Sequence, residues 1–395
     1  MDNKLNNLAQ NPMFKLSLGS KELFHSNFLE FLWEQDKNKF IEMLRNLLPQ
    51  SNLFETISQL DYSKLKLDRE KQNFDICIYH EDSQCKNKEF IDIIIENKVK
   101  SIPYKEQLDK YKEKLSKYNE YLKKYKDQWS GKKSTCILLS LSSEFHNKEN
   151  IEKDWKIITY KDLAEGIKKH YTDLNTNTYI GDYVRFIKEL DNLNILEDFV
   201  NQKFYDPDAI ESFSKHRLSD LYIKQRGSYF ISLLKLELEN KLGNNFDVVF
   251  SFDVKNLKFK KDTILLKSEM FHGKSTITIC IKLSNSDNLY EIQIEGDQYR
   301  HLFNHSGLIN KRDNDKSNVE SILNNMPYFY SNNFPAGLKP SGTSKGFNRY
   351  KPNCMYKYVK YSSELKVSEM LELIVKDTNK VIDDLGNCET FSKKL

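Results

Sequence analysis

The 395-residue chain is poor in alanine and has little excess of either charge: 61 Lys and Arg stand against 57 Asp and Glu, a net charge of +4. Bulk electrostatics therefore point to no partner, and any phosphate-binding surface has to come from local clustering. No stretch reaches the ~20 apolar residues that a membrane helix needs, so no membrane association is expected. The first residues, MDNKLNNLAQNPMFKLSL, contain no apolar segment ahead of a small-residue cleavage site. No signal peptide is expected, and the expected location is the cytoplasm. The six cysteines (Cys77, Cys85, Cys136, Cys280, Cys354 and Cys388) form no C-x-x-C pair and are irregularly spaced. That argues against structural zinc and against a disulfide framework. There is no internal repeat and no long Pro/Gly/Ser linker.

What is present is a globular composition, 39% hydrophobic and 12% aromatic, with length for two or three domains at ~150 residues each. Residues 20–34 have the spacing of a helix, with Ser20 as N-cap and Leu23, Phe24, Phe28, Phe31 and Leu32 as the buried stripe. A second helix is expected over 38–48. Strands are expected over 64–69, 74–80 and 90–99, the last a near-continuous apolar run suited to burial on both faces. Tyr104, Leu108, Tyr111, Leu115, Tyr118 and Leu122 space a helix over 104–126, with Pro103 at its first turn. Strands at 134–142 and 155–160 and a short helix follow.

This order makes a small α/β domain over residues 15–175. Residues 176–241 are expected to be a helical connecting segment, with helices over 178–200 and 208–241. Residues 242–395 are expected to form an α+β domain with an antiparallel sheet of four strands between 245 and 300, a loop over 329–355 and a final helix over 362–386.

The chemistry concentrates at the end of the apolar run IDIIIENKV. Strand alternation puts Glu96 and Lys98 on one face and Asn97 on the other. Charges at the end of a buried strand are costly unless paired or coordinated. Asp75 likewise interrupts FDICIY in the preceding strand, and an antiparallel pairing brings it beside Glu96. Carboxylates of this kind suit Mg²⁺ or Mn²⁺, with Lys98 available to stabilise charge on phosphate oxygens.

The arrangement Asp75, then Glu96-x-Lys98, followed by a helix, resembles the PD-(D/E)XK nuclease superfamily. Gln107 and Tyr111 resemble the Q-x-x-x-Y motif of its RecB-like branch. Glu22, His25 and Ser26 resemble the E-x-x-H-S signature in the first helix of a bacterial group. Phe74 stands where the superfamily's proline would precede the aspartate. The resemblance implies a restriction-endonuclease-like core, a mixed central sheet flanked by helices. It also implies Mg²⁺ or Mn²⁺ held by Asp75, Glu96 and Glu22, catalysis by these with Lys98, Gln107 and Tyr111, and substrate contacts from His25 and Ser26. The function implied is hydrolysis of phosphodiester bonds, in DNA first, in a role of defence against foreign DNA. The last domain would recognise the target or join a protein partner or second copy.

The residues leave competing readings open. Lys98 and Glu96 also suit solvated strand ends, Asp75 a turn-proximal charge, Gln107 and Tyr111 a helix face, and the lysines at 105, 110, 112, 114 and 117 a solvated surface. His301 and His305 have the i, i+4 spacing of helical metal ligands. An RNase with the same site, or a non-catalytic interaction module on a nuclease fold, are the alternative functions.

Overall fold

The computed structural model describes residues 2–17, 21–48, 62–81, 89–100, 103, 105–123, 134–141, 151–171, 178–250, 262–271, 274–282, 289–304, 323–324, 327–329, 334–338, 342–343, 346–351 and 354–386. It divides into two compact units: Met1–Asn194 with Ser212–Leu221, and Ile195–Glu211 with Tyr222–Leu395. Among the described residues no helix is long and apolar enough to cross a membrane.

The first unit opens with four helices, α1 (Asp2–Gln10), α2 (Pro12–Ser17), α3 (Lys21–Gln35) and α4 (Lys37–Leu47). Asp36 caps α4 by accepting the Lys39 amide at 3.0 Å, one of the donors a helix start leaves unpaired. Ser20, the expected cap of α3, lies outside the described residues. The buried side of α3 differs from the expected stripe. Leu23 is 39% exposed, whereas His25, Ser26, Leu29 and Trp33 are buried with Phe28 and Leu32. Apolar residues surround this helix, so periodicity alone does not choose the inward side.

Five strands follow: β1 (Leu65–Arg69), β2 (Ile76–Glu81), β3 (Glu89–Lys98), β4 (Thr135–Ser140) and β5 (Trp155–Thr159). They lie in sequence order across one mixed sheet, antiparallel from β1 to β3 and parallel from β3 to β5. Helix α5 (Lys105–Lys123) lies between the parallel pair β3 and β4 in sequence, the kind of crossover a parallel pair needs. β3 is central, and its residues 90–97 are all buried, which accounts for a run without alternation. Thr159 and Asp162 form a capping box at the start of α6 (Tyr160–His170), and α7 (Thr178–Asp191) packs on α6. The mixed sheet flanked by helices is the core expected from the sequence.

The second unit is built on an eight-stranded sheet. Its strands are β6 (Asp247–Phe250), β7 (Thr263–Phe271), β8 (Lys274–Lys282), β9 (Leu289–Glu295), β10 (Gln298–Asn304), β11 (Gly342–Thr343), β12 (Asn348–Lys351) and β13 (Cys354–Lys360). The path runs β11-β13-β10-β9-β8-β7-β6, with β12 paired to β13. It is antiparallel except for β6, which pairs parallel to β7. The strands extend into the segment 329–355 expected as loop, where alternating CMYKYVK supplies β13. Helix α10 (Val367–Gly386) is the last of the described elements. Its buried Asp377 accepts from Tyr299 at 2.6 Å and lies 2.7 Å from His301 Nε2. His301 stands on a strand, so the helical metal-ligand spacing with His305 does not arise; His305 lies outside the described residues.

The segment 176–241 is not a separate connector. α7 belongs to the first unit and ends at Asp191, short of the expected 200. The expected helix 208–241 is two, α8 (Pro207–Lys215) and α9 (Ser219–Leu242). The break is a left-handed Arg217, φ 56°. Around it Leu218 donates to Phe213 O at 2.8 Å and Arg217 to Ser214 O at 2.9 Å. These are the paired bonds that end a helix on a left-handed residue, made here without glycine. Within the second unit α9 passes close over β7: a Cβ on Gly227 would meet Ser268 Oγ at 2.3 Å.

Candidate active site

The site begins with a turn. Between β1 and β2 the backbone is left-handed at Glu70, Gln72 and Asn73, φ 55–58°. Asparagine tolerates that region, but Glu70 and Gln72 each pay ~1 kcal/mol or more for it. The loop is held shut by Glu70 N donating to Asp75 O at 3.2 Å, and by Lys71, ion-paired with Asp68 at 3.0 Å and with Glu89. Its effect is to deliver Asp75 at the start of β2, one step beyond the Ile76–Ile95 register pair. Asp75 therefore stands beside Glu96.

Asp75 Oδ2 accepts the Asn97 backbone amide at 2.7 Å. Glu96 is 2% exposed, and its Oε1 is 2.7 Å from Lys98 Nζ. Its other oxygen, Oε2, is buried without a hydrogen-bond partner. Tyr111 on α5 stands close enough to Glu96 and Gln107 for each to bear on its ionisation, and its ring lies 6.0 Å from Lys98 Nζ and 6.2 Å from Phe74. From α3, Glu22 Oε1 accepts the Lys100 amide at 3.4 Å, close enough for its charge to act on Asp75. Asp75, Glu96, Lys98, Gln107, Tyr111 and Glu22, drawn from two helices, one strand and the start of another, are thus brought to one place.

Burial sets the electrostatics. It pushes the Asp75 carboxyl above the usual aspartate range. The Asn97 amide and Lys98 work against this, and Glu22 and Glu70 add to it. Burial likewise raises Glu96, opposed by Lys98 and reinforced by Asp75. For Lys98 burial acts downward, but Glu96, Tyr111 and Asp75 outweigh it and hold the ammonium above the ordinary lysine range. The result is a charged lysine beside two carboxyls that ionise reluctantly.

Two residues of the first helix go elsewhere. His25 is wholly buried, 3.0 Å from Tyr183 OH and stacked on Phe186, and burial lowers its pKa to about 3. Ser26 is 3% exposed and donates to Glu22 O at 3.3 Å. Both are buried and hydrogen-bonded within the fold. The lysines of α5 are partly engaged: Lys112 with Asp154, Lys117 with Glu113 and Lys114 with Gln72 O. Tyr104 and the side chains of Lys105 and Leu122 lie outside the described residues.

The residue that sequence reasoning passed over is Asn97. Its Nδ2 donates to Glu22 O at 2.9 Å and faces Ser26 Oγ at 3.4 Å, while its Oδ1 accepts from Tyr160. On the far face from Glu96 it ties α3 and α6 to the strand that carries the site. The signal was an amide in an otherwise apolar buried strand, which has to find partners.

Among the described residues no group of three or more His, Cys, Asp or Glu stands close enough to hold a metal by itself. Mg²⁺ commonly takes one or two carboxylates and fills its remaining positions with water and substrate oxygens. Asp75 and Glu96, with the unpartnered Oε2 and with Glu22 nearby, fit that demand. Residues 11–185 match the family model of the PD-(D/E)XK nuclease superfamily. No curated protein matches the chain, and no solved structure does.

Proposed function

We propose that the first unit hydrolyses phosphodiester bonds of nucleic acid, DNA first, with Mg²⁺ or Mn²⁺ held by Asp75 and Glu96 and approached by Glu22. The observation that carries this is Glu96: a buried carboxylate paired through one oxygen to Lys98 and presenting the other to no donor. A bound divalent ion would polarise the scissile phosphate and lower the pKa of its water. The chain's own residues do the rest. Lys98, kept charged, offsets negative charge gathering on phosphate oxygens. The Lys98 ion pair holds Glu96 in one orientation, with Tyr111 alongside. The Asn97 amide holds Asp75, so both ligands enter the reaction already positioned.

The likeness of the first helix to a bacterial group supports a cytoplasmic role against foreign DNA, and the second unit is the part free to recognise a target or partner. The test is incubation of the full chain with single- and double-stranded DNA and RNA, with Mg²⁺, Mn²⁺ or EDTA. Metal-dependent cleavage of DNA is the expected result. Cleavage of RNA alone would move the reading to an RNase, and no cleavage at all to a non-catalytic module.

A further inference from the structure

The second unit contains a cleft of about 470 Å³, counting its solvent-open part, between the segment 199–210, α9 and the sheet. Its walls include Phe204, Tyr205, Tyr222 and Tyr361, and its polar groups include Arg226 and Asp206. Arg226 is 7% exposed. Its guanidinium donates to Gln202 Oε1, to Lys203 O at 2.6 Å and to Phe204 O at 3.4 Å. It lies about 5 Å from the Phe199 and Tyr222 rings, at 4.9 and 5.0 Å. All of these partners are neutral, and among the described residues no carboxylate comes within ion-pair reach of it. A buried charge is ordinarily paired, and the neutral acceptors named take three of the five guanidinium N–H groups. Asp206 caps α8 through Oδ1, which accepts from Ala209 N at 3.0 Å, and its second oxygen has no hydrogen-bond partner among the described residues.

One cation and one anion leave the cleft close to neutral, so it is a poor match for a phosphate. It combines flat aromatic walls with a donor and an acceptor that are only partly used. That is the complement of a nucleobase, which offers a π face for stacking and an edge bearing both acceptors and donors. We propose that this cleft takes a single nucleobase, stacked on the aromatic side chains with its edge on Arg226 and Asp206. The base can come from a free nucleoside or from a nucleotide turned out of a strand, as enzymes that read single bases require. The strand-borne source rests on the proposed nuclease function; the chemistry of the cleft does not.

The test uses the full chain carrying Asp75→Asn, so that binding is read apart from cleavage. Calorimetric titrations with adenosine, guanosine, cytidine, uridine and thymidine, and with a duplex holding one unpaired base against the fully paired duplex, separate the two sources. At least one nucleoside, or the unpaired-base duplex in preference to the paired one, is expected to bind with Kd below about 1 mM. Tyr205→Ala, at a half-buried wall position, should weaken that binding about tenfold or more, and Arg226→Gln should do the same. If Arg226→Gln fails to fold, Ile210→Trp, which fills the cleft from α8, replaces it. No binding of any probe overturns the proposal, as does unchanged binding in folded Tyr205→Ala and in the second variant. Wild-type cleavage with no base binding would sink the cleft and leave the nuclease standing. Base binding without cleavage would do the reverse.

Discussion

The backbone amide of Asn97 donates to the Asp75 carboxylate at 2.7 Å across 22 residues of sequence. One residue therefore serves both faces of β3: its main chain fixes the first carboxylate of the site, and its side chain anchors the helices behind it. Asn97→Leu should cost about 3 kcal/mol, because it leaves Glu22 O, Ser26 and Tyr160 without their partner in a buried place. Tyr160→Phe removes a single bond and should cost about 1 kcal/mol. Chemical denaturation of both variants checks the ratio. Equal, small effects would mean that the hub is not what holds α3 to the sheet.

Asp75→Asn keeps an oxygen able to accept the Asn97 amide while removing a charge that Glu22, Glu70 and Glu96 all oppose. The metal-free variant should melt above wild type. Wild type should gain stability from Mg²⁺ or Mn²⁺, about 1.4 kcal/mol at ten times Kd, and the variant should lose most of that gain. Melting curves in EDTA and in metal decide it. A variant that is less stable yet fully metal-responsive makes Asp75 a structural residue.

Lys98→Ala should slow cleavage by about 3 kcal/mol or more of transition-state stabilisation, with the far-ultraviolet circular dichroism of wild type. Removing the ammonium leaves Glu96 and Asp75 to repel one another, so the metal-dependent rise in melting temperature should persist or grow. A folded Lys98→Ala protein that cleaves normally would take the lysine out of the mechanism.

His25 gives a pH signature. Its folded pKa, about 3, lies below the ordinary 6.5, so between those values the unfolded chain binds the extra proton. Its contribution to stability is complete above pH 6.5 and is lost as pH falls, by about 2 kcal/mol at pH 5. The double variant His25→Phe with Tyr183→Phe removes both members of the buried pair and should flatten stability between pH 7 and 5 by that amount. An unchanged slope would show that His25 keeps a normal pKa. Asp75 and Glu96 act in the opposite sense: with raised folded values they favour the fold as pH drops toward the carboxylate range.

The strands of the first unit and the triad Asp75, Glu96 and Lys98 were legible because charge interrupts apolar runs at positions where burial is costly. Asn97 was not, since alternation assigns it a face without saying which helices wait there. The inward turn of His25 and Ser26 was hidden by a helix apolar on nearly every side. In the second unit, β13 was masked by its Gly-, Pro- and Asn-rich surroundings. The α8–α9 break was masked by the absence of any glycine or proline at Arg217.

The most direct test is the rate of nucleic-acid cleavage by wild type and by Glu96→Gln, each with Mg²⁺ and with EDTA. The substitution preserves shape but removes the charge that would hold the ion. Wild type should cleave only with metal, and folded Glu96→Gln should be slower by about a hundredfold or more. Wild-type rates from a folded Glu96→Gln protein, or cleavage indifferent to EDTA, would contradict the assignment of the site.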